Sequence, residues 1–219
     1  MVKDIKMPEN VKMILDKLSS KGYEAVIIGG CVRDSIMGIE PHDWDIATSA
    51  QPEEIMECFK HYNLMKAGLK HGTVTVIIDH EPYEITTYRI DGEYSDHRRP
   101  DSVDFTCDLA EDIMRRDFTI NAIAYDGENI IDLHDGIGDL QKGIIRCVGN
   151  ANARFREDPL RILRAIRFAA RFGFEIEELT KKAMFDNCDM LRLIATERRQ
   201  SEFTKTLCSE HVSVCLLYT

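Results

Sequence analysis

Two aspartates separated by one residue, in Asp43-Trp44-Asp45, offer the plainest chemistry in the chain. In an extended segment residues i and i+2 point to the same face, so both carboxylates aim together and Trp44 turns to the opposite, core side. Paired carboxylates repel unless a proton or a cation joins them. Mg2+ takes such oxygens together with substrate phosphates. A paired-metal site of this kind can activate a 3′-hydroxyl and stabilise a leaving pyrophosphate. A solvated acidic pair at a strand end is the plainer alternative, and the D-x-D spacing does not separate the two. Glu84 shares a face with Thr86 and Tyr88 in the run Glu84 to Arg89. It is either a third carboxylate beside the aspartates or an exposed edge glutamate.

Three further segments carry groups suited to phosphate. Gly29-Gly30-Cys31-Val32-Arg33-Asp34 reads as a glycine turn between a strand and a helix start. Glycines allow close backbone approach, and the free N–H groups of a helix start favour an anion. Arg33 adds a planar cationic fork. A plain tight turn, with Arg33 paired to a surface acid, has the same sequence. In Arg115-Arg116-Asp117-Phe118-Thr119-Ile120-Asn121-Ala122, two arginines beside an acid could hold a triphosphate and a ribose. The same run could be a helix start capped by Asp117. Finally, Pro159 suits the first turn of a helix that Glu157-Asp158 precede. At about 100° per residue, Arg161, Arg164, Arg167 and Arg171 fall within roughly a third of its circumference. Ile162, Leu163, Ile166, Ala169 and Ala170 fall on another third. Like charges at this spacing repel, and an anionic ligand would relieve the repulsion.

These segments need elements to position them. Apolar spacing predicts a helix over residues 11–18, then a strand over 23–28 that Gly29 ends. A short helix over 32–37, a strand over 44–46 and a helix over 52–59, with Ser49 as its cap, follow. Strands over 73–78 and 83–90 flank a turn at 79–82. Residues 91–100 are polar and read as a mobile loop carrying Tyr94, Asp96, His97, Arg98 and Arg99. After Asn150 strand signals stop and helices are expected over 160–172, 177–187 and 196–207, which puts a domain boundary near residue 150. Two domains are predicted, over 1–150 and 151–219. The first is α/β and the second all-helical.

Composition narrows the setting. The chain of 219 residues is long enough for one large core or two small ones. No apolar run reaches the roughly 20 residues of a membrane span. Residues 1–10 have no apolar signal core, so secretion is not expected. Seven widely spaced cysteines without a C-x-x-C pair point to reduced thiols rather than zinc or a disulfide framework. The formal net charge of −10 argues by itself against a nucleic-acid partner, but the arginines from Arg154 to Arg171 form one local basic feature.

Taken in order, GGCVRD (29–34), DWDIATSA (43–50), HGTVTV (71–76), EITTYR (84–89), EDIMRRDFTINAIAYD (111–126) and EDPLRILRAIRFAARFGF (157–174) resemble the tRNA nucleotidyltransferase and bacterial poly(A) polymerase family, in its eubacterial–eukaryotic class. The resemblance covers about residues 20 to 205. It implies a polymerase-β-like head with a mixed sheet, followed by a helical neck, and a Mg2+-dependent cytoplasmic enzyme that adds C, C and A from CTP and ATP to the 3′ end of tRNA. Poly(A) addition, CC- or A-specialised addition, and a truncated nucleotide-binding module are the alternatives. No membrane and no protein partner is implied. Asp43 and Asp45 match the metal-binding carboxylates, and Gly30 and Arg33 the nucleotide-binding turn. Arg115 and Arg116 match the triphosphate arginines, and Asp158, Arg161, Arg164 and Arg167 the neck residues that contact the incoming nucleotide. Family members usually continue for well over a hundred further residues. The run from His211, with Val212, Val214, Leu216 and Leu217, reads as the start of a buried segment.

Overall fold

The computed structural model describes residues 5–94, 97, 100 and 102–215. Lys3 and Asp4, the loop residues Asp96, Arg98 and Arg99, and Leu216 and Leu217 lie outside the described residues. The chain forms two compact units. Unit 1 comprises residues 1–90, 103–114 and 121–134, and unit 2 comprises 91–102, 115–120 and 135–219.

Unit 1 opens with α1 (Glu9–Ser19), whose buried residues Val11, Ile14, Leu15 and Leu18 are the expected helical stripe. The apolar strand β1 (Ala25–Ile28) is buried along its whole length and gives way to α2 (Gly30–Ile36). Gly29 between them has φ 90°, a backbone region that a side chain disfavours. Next come β2 (Ile46–Thr48) and α3 (Pro52–Cys58). The cap of α3 is Gln51, in a capping box with Glu54, and not the expected Ser49. Ser49 Oγ instead accepts from the Glu24 amide at 2.9 Å.

The edge strand β3 (Asn63–Met65) precedes β4 (Thr73–Ile78) and β5 (Glu81–Thr87), the expected hairpin. Its connection is shorter than the anticipated 79–82: Ile78 already pairs with Glu81, and Asp79 and His80 turn the chain with φ 51° and 69°. Two-residue hairpin turns with φ > 0 at both positions match strand twist. Short strands β6 (Arg89–Asp91) and β7 (Val103–Phe105) pair with each other. Helix α4 (Leu109–Met114) and strands β8 (Ile123–Tyr125) and β9 (Ile130–Asp132) complete the unit. The seven-stranded sheet runs β3-β4-β5-β2-β1-β8-β9. It is mixed: β2 and β5 are parallel, with Ile46 opposite Ile85, and every other pair is antiparallel. Val74, Val76 and Ile78 put alternate residues of β4 into the core, as a half-buried strand must.

Unit 2 holds α5 (Gly136–Lys142), β10 (Ile144–Ile145), α6 (Ala151–Glu157), α7 (Leu160–Phe172), β11 (Glu175–Ile176), α8 (Glu178–Asn187), α9 (Thr196–Leu207) and α10 (Val212–Cys215). The expectation of no strand beyond residue 150 fails at β11, which pairs in parallel with β10. Two residues are too few to leave a sequence signal. Helix α7 buries Leu160, Ile162, Ala165, Phe168, Ala169 and Ala170, so Leu163 and Ile166 lie at the margin of its apolar face rather than at its centre. Phe168 meets Phe118 edge-on at 5.8 Å between centroids.

The hairpin turn makes a simple test. Non-glycine residues in the left-handed region carry a cost of roughly 1–2 kcal/mol each, partly offset by the greater freedom glycine has when unfolded. His80→Gly is therefore expected to stabilise the chain by about 0.5–1 kcal/mol, read as a higher urea midpoint at unchanged m-value. A lower midpoint would contradict the turn geometry.

Candidate active site

Asp43, Asp45 and Glu84 come together within unit 1. They line one pocket of about 570 Å3 with Pro8, His42, Trp44, Glu81, Pro82 and Tyr83. The sheet explains why. In the parallel pairing of β2 and β5, Ile46 faces Ile85, so one residue earlier Asp45 comes level with Glu84, and level residues of neighbouring strands share a face. Pro82 has no N–H for a ladder, and the β2–β5 pairing begins only at Ile85. The two segments leading into that pairing therefore line an opening rather than continue the sheet.

The expected strand over 44–46 is thus displaced: β2 starts at Ile46, and the aspartates sit just before it. Their backbone is still tied to the sheet, because the Ile28 amide donates to the Asp45 carbonyl at 3.1 Å. Both aspartates and Glu84 are exposed. Trp44 does not turn into the core. It is half-buried and lines the pocket, because the buried positions of this stretch begin at Ile46. Among the described residues no group of three or more His, Cys, Asp or Glu side chains is set to hold a metal ion. Asp43 and Asp45 supply the hard oxygen donors that Mg2+ prefers, in the small number that leaves room for phosphate oxygens.

The glycine turn is packed tightly from within. Arg33 is only 4% exposed. Its Nε donates to Asp34 Oδ1 at 2.7 Å and its Nη1 to Asn121 Oδ1 at 2.5 Å. The guanidinium folds back over the turn, and a Cβ on Gly30 would come within 3.5 Å of Nη2. The expected surface acid for Arg33 is thus a buried neighbour, and Asn121 is a partner that spacing did not reveal. Burial pushes the Cys31 thiol up to about 11. That thiol stays protonated at neutral pH and is no nucleophile.

Unit 2 holds the remaining predicted residues. Arg115 and Arg116 are half-buried. The Arg115 guanidinium lies 3.9 Å from Asp91, which also accepts from the Tyr94 hydroxyl at 2.6 Å. Asp117 is the counter-ion of Arg164, at 2.8 and 2.5 Å, and also accepts from the Phe118 amide at 2.8 Å. The Arg164 guanidinium is held above its ordinary pKa, chiefly by that charge. Arg161 donates to Glu157 at 2.7 Å and to the Arg115 carbonyl at 3.0 Å. Arg167 donates to Glu202 at 2.6 Å. The stripe of mutually repelling arginines expected on α7 is therefore corrected at these three positions. Acids from α6, α9 and the 115–120 segment neutralise them; Glu157 lies one helical turn before Arg161, whereas Asp117 and Glu202 lie far along the chain, where spacing does not reveal them. Asp158 ends α6, accepting from the Leu160 amide and from Arg198, both at 3.0 Å. Arg198 carried no sequence signal of its own.

Residues 25–146 match the family model described as Poly A polymerase head domain, and residues 173–217 match one described as probable RNA and SrmB-binding site of polymerase A. A CCA-adding enzyme of Oceanobacillus iheyensis is 52% identical over 94% of this chain and 51% of its own length. A CCA-adding enzyme of Lactiplantibacillus plantarum is 48% identical over 91% of this chain and 49% of its own. The crystal structure of the Bacillus stearothermophilus CCA-adding enzyme in complex with CTP superimposes with a TM-score of 0.87 at 39% identity, covering 97% of this chain and 52% of that one. The chain spans about half the length of the curated relatives it matches. With its mixed polymerase-β-like sheet, its carboxylate pocket and these matches, the chain belongs to the tRNA nucleotidyltransferase and poly(A) polymerase family.

Proposed function

We propose that this chain is the nucleotidyl-transferring part of a CCA-adding enzyme, which builds C, C and A onto the 3′ end of tRNA from CTP and ATP and releases pyrophosphate. The observation that carries the reading is the shared pocket of Asp43, Asp45 and Glu84 at the start of the parallel β2–β5 pair. In this reading residues 1–150 act as the head and 151–219 as the neck, in the cytoplasm and without a protein partner.

Asp43 and Asp45 would hold Mg2+, which when bound lowers the barrier by activating the 3′-hydroxyl and neutralising the leaving pyrophosphate. Glu84 adds negative charge at the same mouth. Gly30 and Arg33 form the turn that receives the nucleotide, and Arg115 and Arg116 offset triphosphate charge. Arg164 and Arg167 stabilise the incoming nucleotide's anionic end while Asp117 and Glu202 keep their forks oriented.

Base choice falls to Asp158 and Arg161. Without a nucleic-acid template, protein groups must read the base. Cytosine and adenine each present an amino donor beside a ring-nitrogen acceptor, and guanine and uracil reverse that order. A carboxylate only accepts and a guanidinium only donates, so the pair fits C and A and leaves G and U with unmatched groups. Buried mismatches of this kind discriminate by several powers of ten. The neighbours of Asp158 and Arg161 fix both side chains in advance.

The direct test is binding of CTP, ATP, GTP and UTP, each with Mg2+, to the 219-residue chain. CTP and ATP are expected to bind clearly better than the other two, and Asp158→Ala to erase most of that preference. Four equal affinities would remove base choice from this chain. Asp43→Ala is expected to abolish nucleotide addition in the full-length enzyme while leaving the fold intact by circular dichroism. Unchanged turnover in that variant would favour a nucleotide-binding module without catalysis. In the family that this chain resembles a flexible loop at this place helps the switch from C to A addition, so shortening the loop at 91–100 is expected to impair A addition more than C addition, and equal loss of both would contradict that role. The family description keeps poly(A) polymerase as the second reading, and product length on tRNA and non-tRNA ends separates the two.

A further inference from the structure

Helix α9 buries polar residues where an ordinary amphipathic helix would bury apolar ones. Glu202 and Thr206 are buried, while Phe203 and Leu207 of the same helix stay more than half exposed. Arg198 stands four residues before Glu202, on the same face. Opposite charges at this spacing can pair within a helix, but here both reach across to other segments. Glu202 accepts from Arg167 Nε at 2.6 Å, and Arg198 Nη2 donates to Asp158 Oδ2 at 3.0 Å. None of the four side chains is more than 24% exposed.

Stability does not account for the Arg198 pair. Buried ion pairs contribute little beyond what apolar contacts of similar size would give. A cation in the first turn of a helix also opposes the helix dipole, and Arg198 is the third residue of α9. The arrangement fixes direction instead. Asp158 Oδ1 accepts from the Leu160 amide at 3.0 Å. With Arg198 on Oδ2, the carboxylate is held at both oxygens and cannot turn about its last bond without losing one of them. Each oxygen keeps further acceptor capacity, and the plane of the carboxylate decides where it points. Groups that read a base edge penalise a mismatch only when a second set of contacts keeps them from turning away. We infer that Arg198 is a positioning residue for base choice, acting through Asp158. The inference rests on the reading of Asp158 and Arg161 above and adds the residue that aims the carboxylate. Arg199 supplies a control: it carries the same charge one residue on, but its Nη2 donates to Thr196 Oγ1 of its own helix at 3.1 Å.

The affinities of the 219-residue chain for CTP, ATP, GTP and UTP, each with Mg2+, are measured by equilibrium dialysis. In Arg198→Met, which keeps the aliphatic stem without the charge, the CTP-to-UTP affinity ratio is expected to fall about tenfold, equivalent to about 1.4 kcal/mol. Arg198→Gln, a second uncharged replacement, should lower the ratio in the same direction. Arg198→Lys, which restores one cationic donor, should recover most of it, and Arg199→Met should leave it at the wild-type value. In an Asp158→Ala background Arg198→Met should change the ratio no further, because its effect runs through Asp158. Thermal melts identify the variants that fold. A ratio unchanged in the folded Arg198 variants, with all four affinities falling in step or none falling, would overturn the assignment. An equal loss in Arg199→Met, or a further loss in the Asp158→Ala background, does the same. In each of those cases a wild-type preference for CTP and ATP leaves the base-choice reading standing. Wild-type chain that binds all four nucleotides alike removes both.

Discussion

Strand β2 lies parallel to β5 in a sheet whose other pairs are all antiparallel, and that pairing sets the site's geometry. A parallel neighbour keeps the starts of both strands at one end of the sheet. The residues leading into β2 are Asp43 and Asp45, and those leading to the paired part of β5 are Pro82 and Glu84. An antiparallel partner in that place would have put the start of one strand beside the end of the other. Because Pro82 offers no ladder donor, the strands part here and the carboxylates face an opening instead of each other's backbone. A register shift of one residue would turn Glu84 to the opposite face of the sheet. The charge cluster therefore depends on buried apolar contacts of Ile46 and Ile85, both almost wholly excluded from solvent.

Unit 2 solves a different electrostatic problem. Three arginines on one side of α7 would destabilise an isolated helix, and the chain neutralises each with an acid from another element: Glu157, Asp117 and Glu202. Partly buried pairs of this type contribute little net stability, because desolvation offsets most of the attraction. Their value is orientation. A guanidinium fixed by one carboxylate has its remaining donors directed before a ligand arrives, which lowers the cost of ordering on binding. Arg33 follows the same logic in unit 1, where Asp34 and Asn121 hold its fork against the glycine turn.

Local pattern was enough to read the amphipathic helix α1, the buried strand β1, the β4–β5 hairpin and the helices α7, α8 and α9, because each announces itself by the spacing of apolar residues within a few turns. Strands β3, β8 and β9, of three residues each, lacked the length for a signal. The Gln51 cap was passed over because Ser49 is the commoner capping residue, and its hydroxyl is occupied by Glu24.

For the candidate site, the sequence by itself determined which residue types are present and in what order: the aspartate pair, the glycine turn, the arginine pair and the Asp158–Arg161 spacing. Those are properties of short segments, and the family resemblance rests on them. Tertiary structure alone decided which of these groups share a pocket and which are already paired. That Glu84 joins the aspartates rather than standing at an exposed edge depends on the register of two strands some forty residues apart. That Trp44 lines the pocket, and that Arg164 and Arg167 carry acidic partners, depends on elements brought together from distant parts of the chain. Spacing along a chain fixes a face only within one element. Pairing between elements is set by the packing of their apolar residues, and the charges arrive where that packing puts them.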